Sequence, residues 1–242
     1  MRAAAILRGG GVATLIAVAA PASAQELDRP DVQDLVLGAG ADAQPGPFRE
    51  YACGTDGGPA SIAVAGFDEF ARCPKESGTG LHEIAFRYDD EIEYYALAMN
   101  LKPVADRYGG TRFGSFPVIV SALFDDSGIL RGYRVVTDDR GTVRERRIAY
   151  AMGVFAKAQF KSGQWTCSSE PLGEGETPLG NQFVKEDCST TMPGGQTAKL
   201  RVRLLHRPGQ AAVDPFTGEK RVGQYESTAR LEVFDAGWGS ER

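Results

Sequence analysis

Between Val118 and Phe124 the chain alternates with period two: Val118, Val120, Ala122 and Phe124 against Ile119, Ser121 and Leu123. Side chains two apart share one face of a strand, so this stretch predicts a strand. Asp125-Asp126-Ser127-Gly128 then supplies a turn, with Gly128 suited to a left-handed backbone. Ile129 to Thr137, rich in β-branched and aromatic residues, returns as the second arm of a hairpin. Pro117 stands just ahead of the first arm, where its missing amide donor does least harm. Further on, Leu200, Val202 and Leu204 alternate with Lys199, Arg201 and Arg203. Tyr225, Ala229, Leu231 and Val233 do the same against Glu226, Arg230 and Glu232. The pattern predicts two half-buried antiparallel strands whose solvent faces carry complementary charge. The long connection 207–223 contains a turn signal, Asp214-Pro215-Phe216-Thr217-Gly218.

The period lengthens after residue 142. Ile148, Met152 and Phe155 fall on one helical face, and Thr142 and Glu145 have the spacing of a capping box. Gly163 closes the segment after Lys161, so a helix is expected over Val143 to Phe160. Residues 89–99 fit either period; acidic residues at their start favour a helix capped by Asp89 or Asp90. Pro30 and Gly38 bracket a short amphipathic turn, Asp31 to Leu37. Gly38 to Pro47 holds no large apolar residue and reads as a mobile tether, so residues 25–47 are expected to be flexible. A globular α+β domain would then fill 48–242: antiparallel strands with one long helix packed on a face.

The first residues change the setting. Arg2 and Arg8 supply positive charge, Val12 to Ala20 form a short apolar run, and Ala22-Ser23-Ala24 offers a small-x-small cleavage site. This is the pattern of a secretory signal over 1–24, with the mature chain starting near Gln25 in the periplasm or outside the cell. The run is too short to span a bilayer, so no membrane insertion of the mature chain is expected. Loss of two leader arginines takes 27 basic residues to 25 against 32 acidic ones, moving the net charge from −5 to −7. That balance excludes the basic footprint a nucleic-acid partner needs.

In an oxidising compartment Cys53, Cys73, Cys167 and Cys188 are expected to pair. They also repeat a local pattern. Tyr51-Ala52-Cys53 and Trp165-Thr166-Cys167 each set an aromatic residue two before the first cysteine, and a Gly-, Ser- and Pro-rich loop follows both. Cys167 follows Cys53 by 114 residues and Cys188 follows Cys73 by 115. The repeat predicts near-neighbour bridges, Cys53–Cys73 and Cys167–Cys188, and raises the expectation of two related half-repeats, 48–139 and 140–242. A zinc site is the rival reading; without a Cys-x-x-Cys pair it is the weaker one.

Chemistry is sparse. His82 and His206 stand apart and belong to no metal-binding motif. Ser115 lacks the flanking glycines of a nucleophile elbow, and Gly173-x-Gly175 lies among Glu174 and Glu176, which repel phosphate. Neither a catalytic constellation nor a cofactor motif is recognisable. Two clusters stand out. Asp89 to Glu93, followed by Tyr94 and Tyr95, mixes carboxylates with phenols; its plain reading is a solvated helix start. Arg144, Arg146 and Arg147 occupy the first turn of the expected helix, where cations are disfavoured. Ion pairs with Asp138, Asp139 and Glu145 would offset them, whereas the sharper reading is a site for a carboxylate or phosphate. The leading expectation is a non-catalytic binding or accessory protein of the bacterial periplasm whose partner is a protein or envelope component. The alternative is an envelope hydrolase using the carboxylates near Asp89–Glu93. Facing carboxylates in a cleft would favour the hydrolase, an apolar patch around Phe216 or Trp238 a binding protein, and an enclosed pocket between sheet and helix a small-ligand carrier.

Overall fold

The period-two stretches become strands of one open, antiparallel, ten-stranded sheet. The computed structural model describes residues 30–88, 91–108, 110–161, 163–210 and 225–238, with the backbone alone for 91, 92 and 106–108. The expected leader, Asp89, Asp90 and the connection with Phe216 lie outside the described residues. The strands are β1 (Glu50–Cys53), β2 (Ala63–Val64), β3 (His82–Arg87), β4 (Arg112–Phe113) and β5 (Phe116–Phe124). They continue as β6 (Leu130–Thr137), β7 (Thr166–Ser169), β8 (Val184–Thr191), β9 (Thr197–Leu205) and β10 (Glu226–Phe234). Their spatial order is β2-β1-β3-β5-β6-β10-β9-β8-β7, with β4 paired to β5 alone. Strands from the first half of the chain therefore lie on one side of the β6–β10 pair and those from the second half on the other.

Register explains the core. Val135 lies opposite Val120 on one side and Leu231 on the other, and Leu231 lies opposite Leu200. These four share a face and are buried. Onto that face packs the expected helix, as α3 (Val143–Ile148) and α4 (Met152–Gln159) joined by a 3-10 turn at Ala149–Ala151. Its capping box is present: Thr142 Oγ1 accepts from the Glu145 amide, and the Glu145 carboxylate accepts from the Thr142 amide at 2.9 Å. Ala149, Met152 and Ala156 form the buried stripe, but Ile148 is 44% exposed. The tighter winding of the 3-10 turn shifts the phase of the helix and rotates Ile148 out. At Gly153 the helix meets Val202 so closely that a Cβ would stand 2.5 Å from its methyl. That contact leaves no room there for a carried small molecule.

Two further expectations are corrected. The presumed tether is laid on the sheet. The Gly38 amide donates to Leu130 O at 2.8 Å and that of Ala41 to Gly128 O at 2.9 Å. Upstream, Val32 is fully buried with its amide on Tyr88 Oη. The folded body thus includes the stretch from Pro30; two apolar anchors and paired backbone donors hold it, neither of which shows as a period. The second correction concerns charge. Register sets Glu232 opposite Lys199, as complementarity requires, but Arg230 directly opposite Arg201. At that like-charged pair the compensation comes from Asp187 on β8 and Asp56 in the loop after β1.

Both bridges form as expected, Cys53–Cys73 and Cys167–Cys188. Their settings differ. Cys53 and Cys73 are buried beside an aromatic cluster of Phe48, Tyr51, Phe67 and Phe86, and tie β1 to the end of the 3-10 helix Phe67–Arg72. Cys167 and Cys188 are direct cross-strand partners in β7 and β8. The second cysteine of the two loops therefore holds different structural positions, one in a loop and one in a strand.

Candidate functional site

The face of the sheet away from the helix is polar, and its centre is Arg134. This β6 side chain is 1% exposed, and four carboxylates surround it: Glu232 at 2.7 Å, Glu76 and Glu83 at 3.0 Å, and Asp56 at 3.2 Å. Nη1 meets Asp56 and Glu83 at ion-pair distance without a well-aligned hydrogen bond. Burial alone would lower the pKa of this guanidinium, but the carboxylates of Glu83, Glu232 and Glu76 outweigh it and raise it. Burial likewise pushes Glu232 up, while Arg230 and Arg134 pull it down further, leaving it below its ordinary 4.5. Both groups stay charged at neutral pH.

Two loops close over this cluster. Glu83 accepts from the amides of Asp56 at 2.7 Å and Gly57 at 3.2 Å. Gly57 has φ +79, and a Cβ there would collide with Val136. Only glycine lets the loop lie so near the sheet in that backbone region. The Cys53–Cys73 bridge stands just ahead of both Asp56 and Glu76, so it pins the bases of the loops that deliver them.

Beside the covered centre lies an open groove of about 640 Å3 over β7 to β10. Asp56, Glu76, Asp187 and Glu232 line it, together with Lys199, Arg201 and Arg230. None of the four carboxylates is left unpaired: Asp187 bonds Arg203 at 2.6 Å and Arg201 at 3.0 Å, and Arg230 bridges Asp56 and Glu232. Burial raises Asp187, yet Arg203 and Arg201 hold it below its ordinary value. With Arg134 beneath the loops and Arg203 on Asp187, five cations balance the four groove carboxylates and Glu83. The remaining lining is hydroxyl and aromatic. Thr166 lies opposite Ser189 across β7 and β8, and Trp238, packed on the buried Phe234, forms the far flank. Lys199 Nζ stands 5.8 Å above the Phe234 ring, and Arg131 lies 5.5 Å over Trp238.

Of the residues singled out by sequence, Trp238, Cys167 and Cys188 line this groove, whereas the charged clusters lie elsewhere. Glu93 reaches the rim of a second groove, about 600 Å3, on the other side of the loop after β1. Arg144, Arg146 and Arg147 are exposed on the first turns of the helix. Two of the acids expected to offset them are engaged elsewhere, Asp138 with Arg140 and Glu145 with Arg112. The capping box also engages two amides of that turn, those of Thr142 and Glu145. His82 bridges Cys73 O and Asp126, and His206 is buried near Tyr225. Among the described residues, the grouping with metal-ligand proximity is Cys167, Glu186 and Cys188, and its two sulfurs are spent in the bridge. The cluster around Arg134 escaped sequence reasoning. Its signal was present: Glu83, Arg134 and Glu232 are charges embedded in apolar strands, a placement that requires partners.

No family model matches the chain, no curated protein matches it, and no solved structure matches it.

Proposed function

We propose that this is a non-catalytic extracytoplasmic binding protein whose groove over β7 to β10 takes a neutral, hydroxyl-rich ligand, a glycan of the cell envelope. Two disulfides support an oxidising location, and among the described residues no helix is long and apolar enough to cross a membrane. One observation carries the reading: each groove carboxylate is locked to an arginine. Acid–base hydrolysis of a glycoside needs a carboxylic acid that still holds its proton near neutral pH. Glu232 and Asp187 are shifted the opposite way. What they offer is a rigid array of donors and acceptors, balanced in charge, beside an aromatic flank. Sugars use such an array through their hydroxyls and their apolar ring faces, whereas a polyanion gains nothing from a balanced groove.

Titration of the exported chain by calorimetry with chitotetraose, a neutral oligosaccharide, and with heparin, a polyanion, tests this. Chitotetraose is expected to bind, and Trp238→Ala to weaken it at least tenfold, with heparin giving no heat. Preferential binding of heparin, or failure of both chitotetraose and insoluble peptidoglycan to bind, would overturn the reading. Release of new reducing ends from either glycan would establish the hydrolase instead.

A further inference from the structure

We infer that the hairpin of α1 (Glu91–Ala98) and α2 (Lys102–Tyr108) is a contact site for the surface of a neutral lipid bilayer, distinct from the groove and independent of its ligand. The two helices pack chiefly on one another, through buried Ala96 and Ala105. Asn100, at φ +56, turns the chain between them. Outward they present Tyr94 (69% exposed), Tyr95, Leu97, Met99 (69% exposed), Leu101 and Val104. Six of the twelve exposed large hydrophobic side chains among the described residues thus sit within eleven positions. Scattered singly such residues need no explanation; gathered at one projecting tip they mark an interaction site.

Two observations select the occupant. The first is size. Each helix is about 12 Å long and about 10 Å wide, so one face of the pair offers on the order of 250 Å2. Stable association of two protein surfaces buries about 1,200 Å2 or more, which a second copy seated on this tip cannot supply. A bilayer needs only a wedge of apolar side chains entering the headgroup region. The second is charge. From Tyr94 to Leu101 there is no charged residue, and the tyrosines stand nearer the root than Met99 and Leu101 do. That is the order of a phenol belt at headgroup level with aliphatic side chains beyond it. The excess of acidic over basic residues, 32 against 27 in the full sequence, opposes an anionic surface, so the membrane is a neutral one.

Flotation of the exported chain with phosphatidylcholine vesicles tests the inference. The wild type is expected to float, and the double variant Leu97→Asp with Met99→Asp to lose at least tenfold of the bound fraction while keeping the wild-type thermal midpoint. Should that variant misfold, Met99→Trp gives a second readout: its emission is expected to shift to shorter wavelength with these vesicles and to be quenched by brominated lipid. Equal flotation of the double variant, no flotation of the wild type, or an unshifted Met99→Trp emission would overturn it. So would binding confined to phosphatidylglycerol vesicles, or a dimer in sedimentation that the double variant abolishes.

Discussion

Arg134 is buried amid four carboxylates, and its removal would leave them facing one another without a cation. Breaking a buried ion pair by deleting one partner costs about 3–5 kcal/mol. Arg134→Met, which keeps much of the volume, is expected to lower stability by about that amount in urea unfolding, and more than Arg201→Met on the same face. An unchanged midpoint would mean the cluster contributes no net stability. The pH dependence has a definite sign. Glu232 is depressed in the folded chain, so it contributes stability that is complete above its ordinary 4.5 and is lost as pH falls through the folded value. Asp187 and Glu145, also depressed, act in the same direction. Stability is therefore expected to fall on acidification below about pH 4.5, and Glu232→Gln to flatten that slope in unfolding series across pH. These charges are visible in the sequence as interruptions of apolar strands. Their mutual pairing is not, because Asp56 and Glu76 arrive from loops whose paths no period encodes.

At the scale of elements, legibility followed local rules. The β5–β6 hairpin was readable since alternation and turn chemistry agree, and the capped helix since its box is a fixed spacing. Thr142→Ala removes one arm of that box and is expected to cost about 1 kcal/mol, read as a lower thermal midpoint. Ile148 misled because a helix that changes winding breaks the phase on which the pattern relies. The stretch from Pro30 to Pro47 misled because its anchoring is by backbone hydrogen bonds, which composition does not record. The bridges separate by their surroundings. They enclose loops of almost equal length, 20 and 21 residues, so loop entropy assigns each about 3 kcal/mol. Replacing Cys53 and Cys73 by Ser is nevertheless expected to speed hydrogen exchange at the Asp56 and Gly57 amides. Replacing Cys167 and Cys188 is expected to leave those amides protected.

For the whole molecule, the sequence was most informative about place and least about purpose. Four cysteines and an export-like leader point outside the cytoplasm, and the bridges agree with the former. Intact mass of the non-reduced, exported chain is expected to start at Gln25 with no titratable thiol; free thiols would undo the localisation. Purpose stayed hidden because the groove is assembled across the sheet: Asp56 comes from the first half of the chain, Lys199 and Glu232 from the second. Neither segment carries a motif alone.

An interior strand of this sheet is also the last of the ten to be synthesised. β10 sits between β6 and β9, so until residues 226–234 have emerged, the strands before them form two separate arrays, each with a long unpaired edge. Completion of the sheet therefore waits for its last strand, whose insertion closes both edges at once. Ending translation before residue 226 would leave those edges exposed, a product destined for aggregation rather than for a smaller working domain.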